Sequence, residues 1–172
     1  MQEINADFSG WRRWGFWFTT DLSTWTQIGD IAGPFLNVIT GDFDGDGRDD
    51  VAGLSEEFII WYGTQMGIYW TPLPTSLRGT LVVGDFNGDG YDDIAGLTPS
   101  GAIYYVTDME NFIRIPGTLT QLAVGDFNAD GCDDLAGINS ASGNMYYTLN
   151  KQSWVSIPGV SGVTFAKVYS AR

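Results

Sequence analysis

The sequence contains no histidine, a single cysteine, and only eight lysines and arginines against 21 aspartates and glutamates. The lack of histidine removes the commonest general base and the commonest transition-metal ligand. With Cys132 as the one cysteine, no internal disulfide can form. The formal net charge of -13 disfavours nucleic acid and anionic membranes as partners, because their phosphates attract basic side chains.

Long apolar runs are also missing, so no membrane insertion is expected. The first ten residues have neither a basic start nor an apolar stretch, and no secretory signal peptide is expected within this sequence. The chain does contain 44% hydrophobic residues, 15% aromatic residues and 23 glycines. This composition is typical of a globular protein built from short strands and tight turns.

A fourteen-residue motif occurs three times. It reads GDFDGDGRDDVAGL from Gly41, GDFNGDGYDDIAGL from Gly84 and GDFNADGCDDLAGI from Gly125, at spacings of 43 and 41 residues. The segments between the copies are rich in β-branched and aromatic residues, and none shows a sustained helical period. Four antiparallel strands in about 40 residues is the size of a propeller blade. The sequence therefore predicts an all-β protein, a β-propeller of about four four-stranded blades.

The repeat also predicts where the blades lie in a single domain, 1–172. The strands of the second unit are expected at 81–86, 93–97, 102–107 and 112–115. The blade units are predicted at about 1–30 plus 162–172, 36–74, 80–117 and 121–159. The C-terminal strand is thus expected to close the N-terminal blade, which hides two sheet edges. There are two alternatives: a homodimer in which two chains form an eight-bladed ring, and a piece of a larger propeller.

The aspartates of each motif have the spacing of metal ligands. Counted from the first aspartate, oxygen side chains stand at positions 1, 3, 5 and 9, and the glycine at position 6 permits a sharp turn. Ligation by oxygen alone favours Ca²⁺ over zinc or copper, and magnesium is disfavoured because it keeps its waters and prefers a rigid octahedron, so three calcium sites are predicted. The predicted ligands are Asp42, Asp44, Asp46, Arg48 and Asp50; Asp85, Asn87, Asp89, Tyr91 and Asp93; and Asp126, Asn128, Asp130, Cys132 and Asp134, with Arg48, Tyr91 and Cys132 using the backbone carbonyl.

Loop 1 (42–50) offers four carboxylates as predicted ligands, whereas loop 2 (85–93) and loop 3 (126–134) offer three each, so loop 1 is expected to bind most tightly. An EF-hand is disfavoured, because position 12 is glycine instead of glutamate and the following residues read as strand. Position 2 of each loop is expected to face inward, and position 8 is expected to point away from the ion and make hydrogen bonds. These residues are Phe43, Phe86 and Phe127 at position 2, and Asp49, Asp92 and Asp133 at position 8.

The pattern Asp-Phe-Asn-Gly-Asp-Gly-x-x-Asp resembles the FG-GAP/VCBS-type repeat, as found in integrin α-chain propellers and several secreted lectins. The resemblance covers the three loops closely and the connecting strands loosely. It implies that each loop joins the first two strands of a blade and holds calcium at the rim of the propeller. It also implies an extracellular or cell-surface protein.

Together these features predict a calcium-stabilised binding module and not an enzyme, because the paired carboxylates stand at ligand spacing and no nucleophile motif appears. The preferred partner is a glycan, as in a lectin; the alternatives are an adhesive propeller that contacts a cell-surface protein, and the accessory propeller of a larger secreted protein. Paired aromatics on the third strands are candidates for stacking on sugar rings. They are Trp61, Tyr62, Tyr104, Tyr105, Tyr146 and Tyr147.

Overall fold

The computed structural model describes residues 14–19, 21–31, 34–64, 69–73, 77–139 and 141–158, and within these ranges it contains strands and no helix. The predicted all-β class is confirmed. The strands are β1 (Trp14–Phe18), β2 (Thr26–Ile31), β3 (Phe35–Gly41), β4 (Asp50–Ser55), β5 (Ile60–Thr64), β6 (Tyr69–Leu73), β7 (Leu81–Gly84), β8 (Asp93–Leu97), β9 (Ala102–Val106), β10 (Ile113–Thr118), β11 (Gln121–Gly125), β12 (Asp134–Ile138), β13 (Met145–Thr148) and β14 (Val155–Ser156).

The strands form three antiparallel four-stranded sheets and one two-stranded sheet. Blade 1 is β3–β6, blade 2 is β7–β10 and blade 3 is β11–β14; in each, consecutive strands are neighbours. Strands β1 and β2 pair with each other. The first strands β3, β7 and β11 lie side by side from blade to blade. Four-stranded meanders that meet along their first strands are the arrangement of β-propeller blades.

The predicted strands of blade 2 agree with the structure except at their ends. The second strand matches, whereas the first ends at Gly84, two residues early. It ends there because the side chain of Asp85 accepts hydrogen bonds from the following loop, which turns the backbone out of the ladder. The fourth strand extends to Thr118 across an irregularity in its register after Ile115.

The hydrophobic core lies between blades. One buried cluster joins Phe43, Leu54 and Ile60 of blade 1 to Leu81 and Ile94 of blade 2. A second cluster joins residues of blade 2 to residues of blade 3: Phe86, Ala95, Leu97, Ile103 and Ile115 to Leu119, Leu122 and Leu135. A single blade is one sheet thick and has no interior, so its apolar faces can be buried only by a neighbouring blade.

Position 8 of each loop joins consecutive blades through hydrogen bonds. Asp92 Oδ2 accepts from the backbone N–H of Asp42 at 2.9 Å, and the N–H of Asp92 donates to the carbonyl of Asp42 at 2.8 Å. The next junction repeats the pair: Asp133 Oδ2 accepts from Asp85 N at 3.1 Å, and Asp133 N donates to Asp85 O at 2.6 Å. We call this two-bond contact the interblade clasp.

The outer faces of the three-blade array are uncovered in the part of the chain that the structure describes. Phe127 is 49% exposed, whereas Phe43 and Phe86 are 6% and 3% exposed. The expected inward packing therefore holds for Phe43 and Phe86 and is wrong for Phe127, since no described strand lies beyond blade 3 to cover it. The predicted closing segments, 1–13 and 162–172, lie outside the described residues, and closure of the N-terminal blade stays a prediction.

Candidate metal centre

Loop 1 is organised by the carboxylate at position 1. Asp42 Oδ1 accepts from the N–H groups of Gly45 at 2.8 Å and Asp46 at 3.1 Å, and Asp42 Oδ2 accepts from Gly47 N at 2.8 Å. Gly45 and Gly47 have φ of 74° and 82°, a conformation that favours glycine. The chain therefore wraps around the first carboxylate, as a cation-binding loop requires.

Positions 3 and 5 continue the same turn. Asp44 Oδ1 accepts from Asp46 N at 3.1 Å, and Asp46 Oδ1 accepts from Arg48 N at 2.9 Å. In loop 2, Asn87 Oδ1 and Asp89 Oδ1 accept from the equivalent N–H groups, those of Asp89 and Tyr91, both at 2.9 Å. Loop 3 has the same bonds, from Asp130 N to Asn128 Oδ1 and from Cys132 N to Asp130 Oδ1.

Position 9 places a carboxylate inside the protein at the start of the second strand. Asp50, Asp93 and Asp134 are 3%, 1% and 0% exposed. In each, Oδ2 accepts from the N–H of the phenylalanine at position 2, at 3.2, 2.9 and 3.0 Å respectively. Burying a carboxylate is costly unless charge or hydrogen bonds compensate it, and these single hydrogen bonds leave part of that cost for a proton or a cation to offset.

The carboxylates of loop 1 converge. Asp42, Asp44 and Asp50 each offer one carboxylate oxygen, and these oxygens lie within 4.8 Å of one another. No described residue forms an ion pair with Asp50 or Asp93. In loop 3, Asp134 Oδ1 is buried and has no hydrogen-bond partner among the described residues. In loop 1, a set of hard oxygen donors without a described ion-pair partner fits a divalent ion such as calcium.

Of the predicted ligands, Asp42, Asp44 and Asp50 of loop 1 are brought together, and calcium binding by any of the three loops stays a prediction. Loops 2 and 3 differ from loop 1 by the amide at position 3, where Asn87 Nδ2 and Asn128 Nδ2 donate to the position-5 carboxylate at 2.8 Å. The ranking of loop 1 as the tightest site likewise remains a prediction.

Burial raises the pKa of the position-9 carboxyls. It raises the pKa of Asp93 to about 7, with the negative charges of Asp89 and Asp85 adding to the effect. Burial and the charge of Asp44 raise the pKa of Asp50 to about 6. In loop 3, burial raises the pKa of Asp134 also, against the opposing effects of the Phe127 N–H group and Lys151.

These shifts predict how pH affects the metal-free protein. Unfolded aspartate has a pKa of about 4, so between that value and the raised values the folded state binds more protons than the unfolded state. The free energy of unfolding should therefore fall as pH rises from about 4 to about 7 in excess chelator. Urea unfolding at several pH values measures it. With saturating calcium the decline should vanish, because the ion binds the deprotonated carboxylates; a rise with pH in chelator would contradict the burial of these groups.

The side chain at position 7 of one loop occupies the space beside position 4 of the preceding loop, and this contact explains the glycine there. The Tyr91 ring lies against Gly45, and Cys132 Sγ lies 2.8 Å from where a Cβ on Gly88 would stand. Loop 3 has Ala129 at this position, with φ of 59°, and no described loop follows it. Burial raises the pKa of Cys132, and the negative charge of Asp130 adds to the effect.

The candidate sugar-stacking residues lie on the third strands of three separate blades and are all half-buried. Tyr62 and Tyr105 pack edge-on against Phe43 and Phe86, with ring centroids 6.4 and 6.3 Å apart. Their role in ligand binding stays a prediction. Three rings that the sequence did not indicate as stacking candidates are more exposed, and no repeat pattern distinguishes them. They are Trp17, Trp25 and Tyr91, whose exposed fractions are 54%, 59% and 46%.

Comparison with known families identifies the repeat. The family model for the FG-GAP repeat matches residues 78–106 and 118–153, which contain loops 2 and 3. No curated protein matches the chain at a significant level. Among the described residues, no helix is long and apolar enough to cross a membrane. FG-GAP repeats form propellers that are typically non-catalytic interaction modules of extracellular or surface proteins. The two matched segments, which include the first three strands of blades 2 and 3, are FG-GAP-type repeats.

Proposed function

We propose that the protein is a calcium-stabilised β-propeller module that binds a partner and performs no catalysis. The observation that carries the proposal is the convergence of carboxylate oxygens from Asp42, Asp44 and Asp50 in a loop whose pattern recurs twice. Each loop also buries its last carboxylate. Three such loops would commit most of the clustered acids to cations, and the chain contains no histidine to act as a general base.

Calcium would act on the loops mainly by relieving repulsion. Several carboxylates within a few ångströms destabilise the fold unless an ion neutralises them. The hydrogen bonds inside each loop already hold the side chains in place, so the ion meets a largely formed site. Calcium loops of extracellular modules bind with dissociation constants of about 0.1–1 mM, which is the range we expect and which suits an extracellular location.

Isothermal titration calorimetry tests this function directly. Titration of the chelator-treated protein with calcium should saturate at up to three ions, with magnesium far weaker because it prefers a rigid octahedron with several waters. Asp89→Ala should remove one site. Glu57→Ala is the matched control, since it removes one exposed acid from the chain outside the three loops and should keep every site. A wild-type protein that binds no calcium would refute the proposal.

For the partner, we infer a neutral carbohydrate. Exposed indole and phenol rings provide the flat apolar faces on which sugar rings stack, and Trp17, Trp25 and Tyr91 are such rings. The net charge of -13 opposes sialylated or sulfated glycans. Rings on the β1–β2 hairpin and on loop 2 would give more than one weak site, from which avidity follows.

A glycan array probed in calcium and in chelator tests the choice of partner. Neutral glycans should be retained in calcium, and Trp25→Ala should weaken that retention. Val155→Ala is the control, because Val155 is also an exposed apolar residue but cannot stack on a sugar ring. An array without neutral-glycan binding, together with a purified protein partner that binds in calcium, would replace the lectin function by protein adhesion.

A further inference from the structure

Loop 3 differs from the other two loops by a lysine. Lys151 Nζ lies 4.0 Å from Asp134 Oδ1, and the side chains of Lys151 and Asp134 are 10% and 0% exposed. This is the carboxylate oxygen that has no hydrogen-bond partner among the described residues. At 4.0 Å the ammonium compensates the charge of that oxygen without donating a hydrogen bond to it.

The position of Lys151 is set by a turn that blades 2 and 3 share. In blade 3, Asn150 Oδ1 accepts from the N–H groups of Gln152 at 2.9 Å and Ser153 at 3.0 Å. In blade 2, Asp108 Oδ1 accepts from the two equivalent groups, of Glu110 and Asn111, at 2.9 and 2.8 Å. The residue after Asn150 is Lys151, with φ of 55°, and the residue after Asp108 is Met109, with φ of 52°. The two side chains therefore leave equivalent turns with the same backbone conformation.

The chemistry at this turn differs between the blades. Met109 packs against the apolar cluster between blades 1 and 2 and brings no charge to loop 2. Lys151 instead brings a positive charge to the buried carboxylate of loop 3, and it also interacts favourably with Asp130 at position 5. Positions 5 and 9 are two of the predicted metal ligands, so the ammonium acts on the same oxygens as a bound ion would.

We propose that Lys151 is a resident counter-cation of loop 3, so that this loop keeps its fold without calcium and binds calcium more weakly than loops 1 and 2. The proposal rests on calcium binding by the loops, the function proposed above. A fixed positive charge a few ångströms from a divalent ion repels it, and it also reduces the repulsion that the ion would relieve. The three similar loops thereby divide into two that depend on calcium and one that does not.

Exchange of the two turn residues tests the proposal. Calcium titration of the wild type should resolve two tighter sites and one weaker site. Lys151→Met should tighten the weak site by about tenfold, the effect of removing one nearby charge. Met109→Lys should weaken one of the tight sites by a similar factor. Lys151→Arg keeps the charge and should leave the three affinities unchanged.

A metal-free measurement gives a second readout. In excess chelator, Lys151→Met should lower the melting temperature more than Lys151→Arg does, because Asp134 then loses its only described counter-charge. Three equal sites in the wild type, unchanged by Lys151→Met, would overturn the role of Lys151 while leaving calcium binding intact. A wild type without any calcium site would instead refute the proposed function, so the two failures are distinguishable.

Discussion

In 10 mM calcium the protein should melt about 6 to 32 °C higher than in excess chelator. Sites with dissociation constants of about 0.1–1 mM would each add roughly 1.4 to 2.7 kcal/mol to the free energy of unfolding at this concentration. Two or three such sites give about 3 to 8 kcal/mol, and a chain of this length gains about 2 to 4 °C per kcal/mol. Differential scanning calorimetry on the same sample before and after chelation measures the difference.

The same experiment in magnesium separates ion binding from general screening. Magnesium at equal concentration and ionic strength should recover only a small part of the shift, since the loops offer flexible oxygen ligands in place of a compact octahedron. Asp89→Ala should lose about one site's share of the calcium effect. Identical melting curves in calcium and chelator would contradict the assignment of the loops.

Gly84→Ala should destabilise the protein by about 2 to 3 kcal/mol, the cost of inserting an atom into a tightly packed contact. A Cβ at Gly84 would stand 2.6 Å from Val124 Cγ1 and 2.6 Å from Asp133 Oδ2, both in blade 3. To accept it, blade 3 must move away, which also strains the interblade clasp that Asp133 makes with Asp85. Urea unfolding should show the loss as a lower midpoint at constant m-value.

Gly125→Ala is the matched control, because Gly125 is the same position in blade 3. The nearest atoms to a Cβ there belong to the ring edge of Phe127, at 3.0 Å, and this half-exposed side chain can turn aside. We expect a cost below about 1 kcal/mol for this variant. Equal losses at Gly84 and Gly125 would contradict the assignment of the loss to packing between blades.

The repeated motif was enough to predict the blades and the loops from the sequence. The Asp93–Leu97 strand follows from a short apolar run between an aspartate-rich turn and the next turn, and the spacing of Asp42, Asp44 and Asp50 anticipates their convergence. Both features are local, because they depend on residues close together in the chain. Local patterns are what strand periodicity and turn chemistry determine.

Contacts between repeats could not be predicted in the same way. Position 8 is aspartate in all three loops, but only the structure shows that Asp92 and Asp133 form hydrogen bonds with the loop of the preceding blade. The exposure of Phe127 follows from its place in the array and not from its motif, which Phe43 and Phe86 share. The Lys151–Asp134 pair joins the start of β12 to the turn after β13, and no sequence pattern links these two residues.

The interblade clasp connects each loop to the loop of the preceding blade, so that ion binding at one loop can affect its neighbour. Within Asp92-Asp93, the first residue grips the backbone of Asp42 and the second is a predicted ligand in its own loop; Asp133-Asp134 repeats this one blade on. A cation that immobilises Asp93 therefore also steadies the start of loop 1, whose ordering then costs less conformational entropy. Calcium at loop 2 would therefore favour calcium at loop 1, and the junction between blades 1 and 2 would stiffen as these two tighter sites fill.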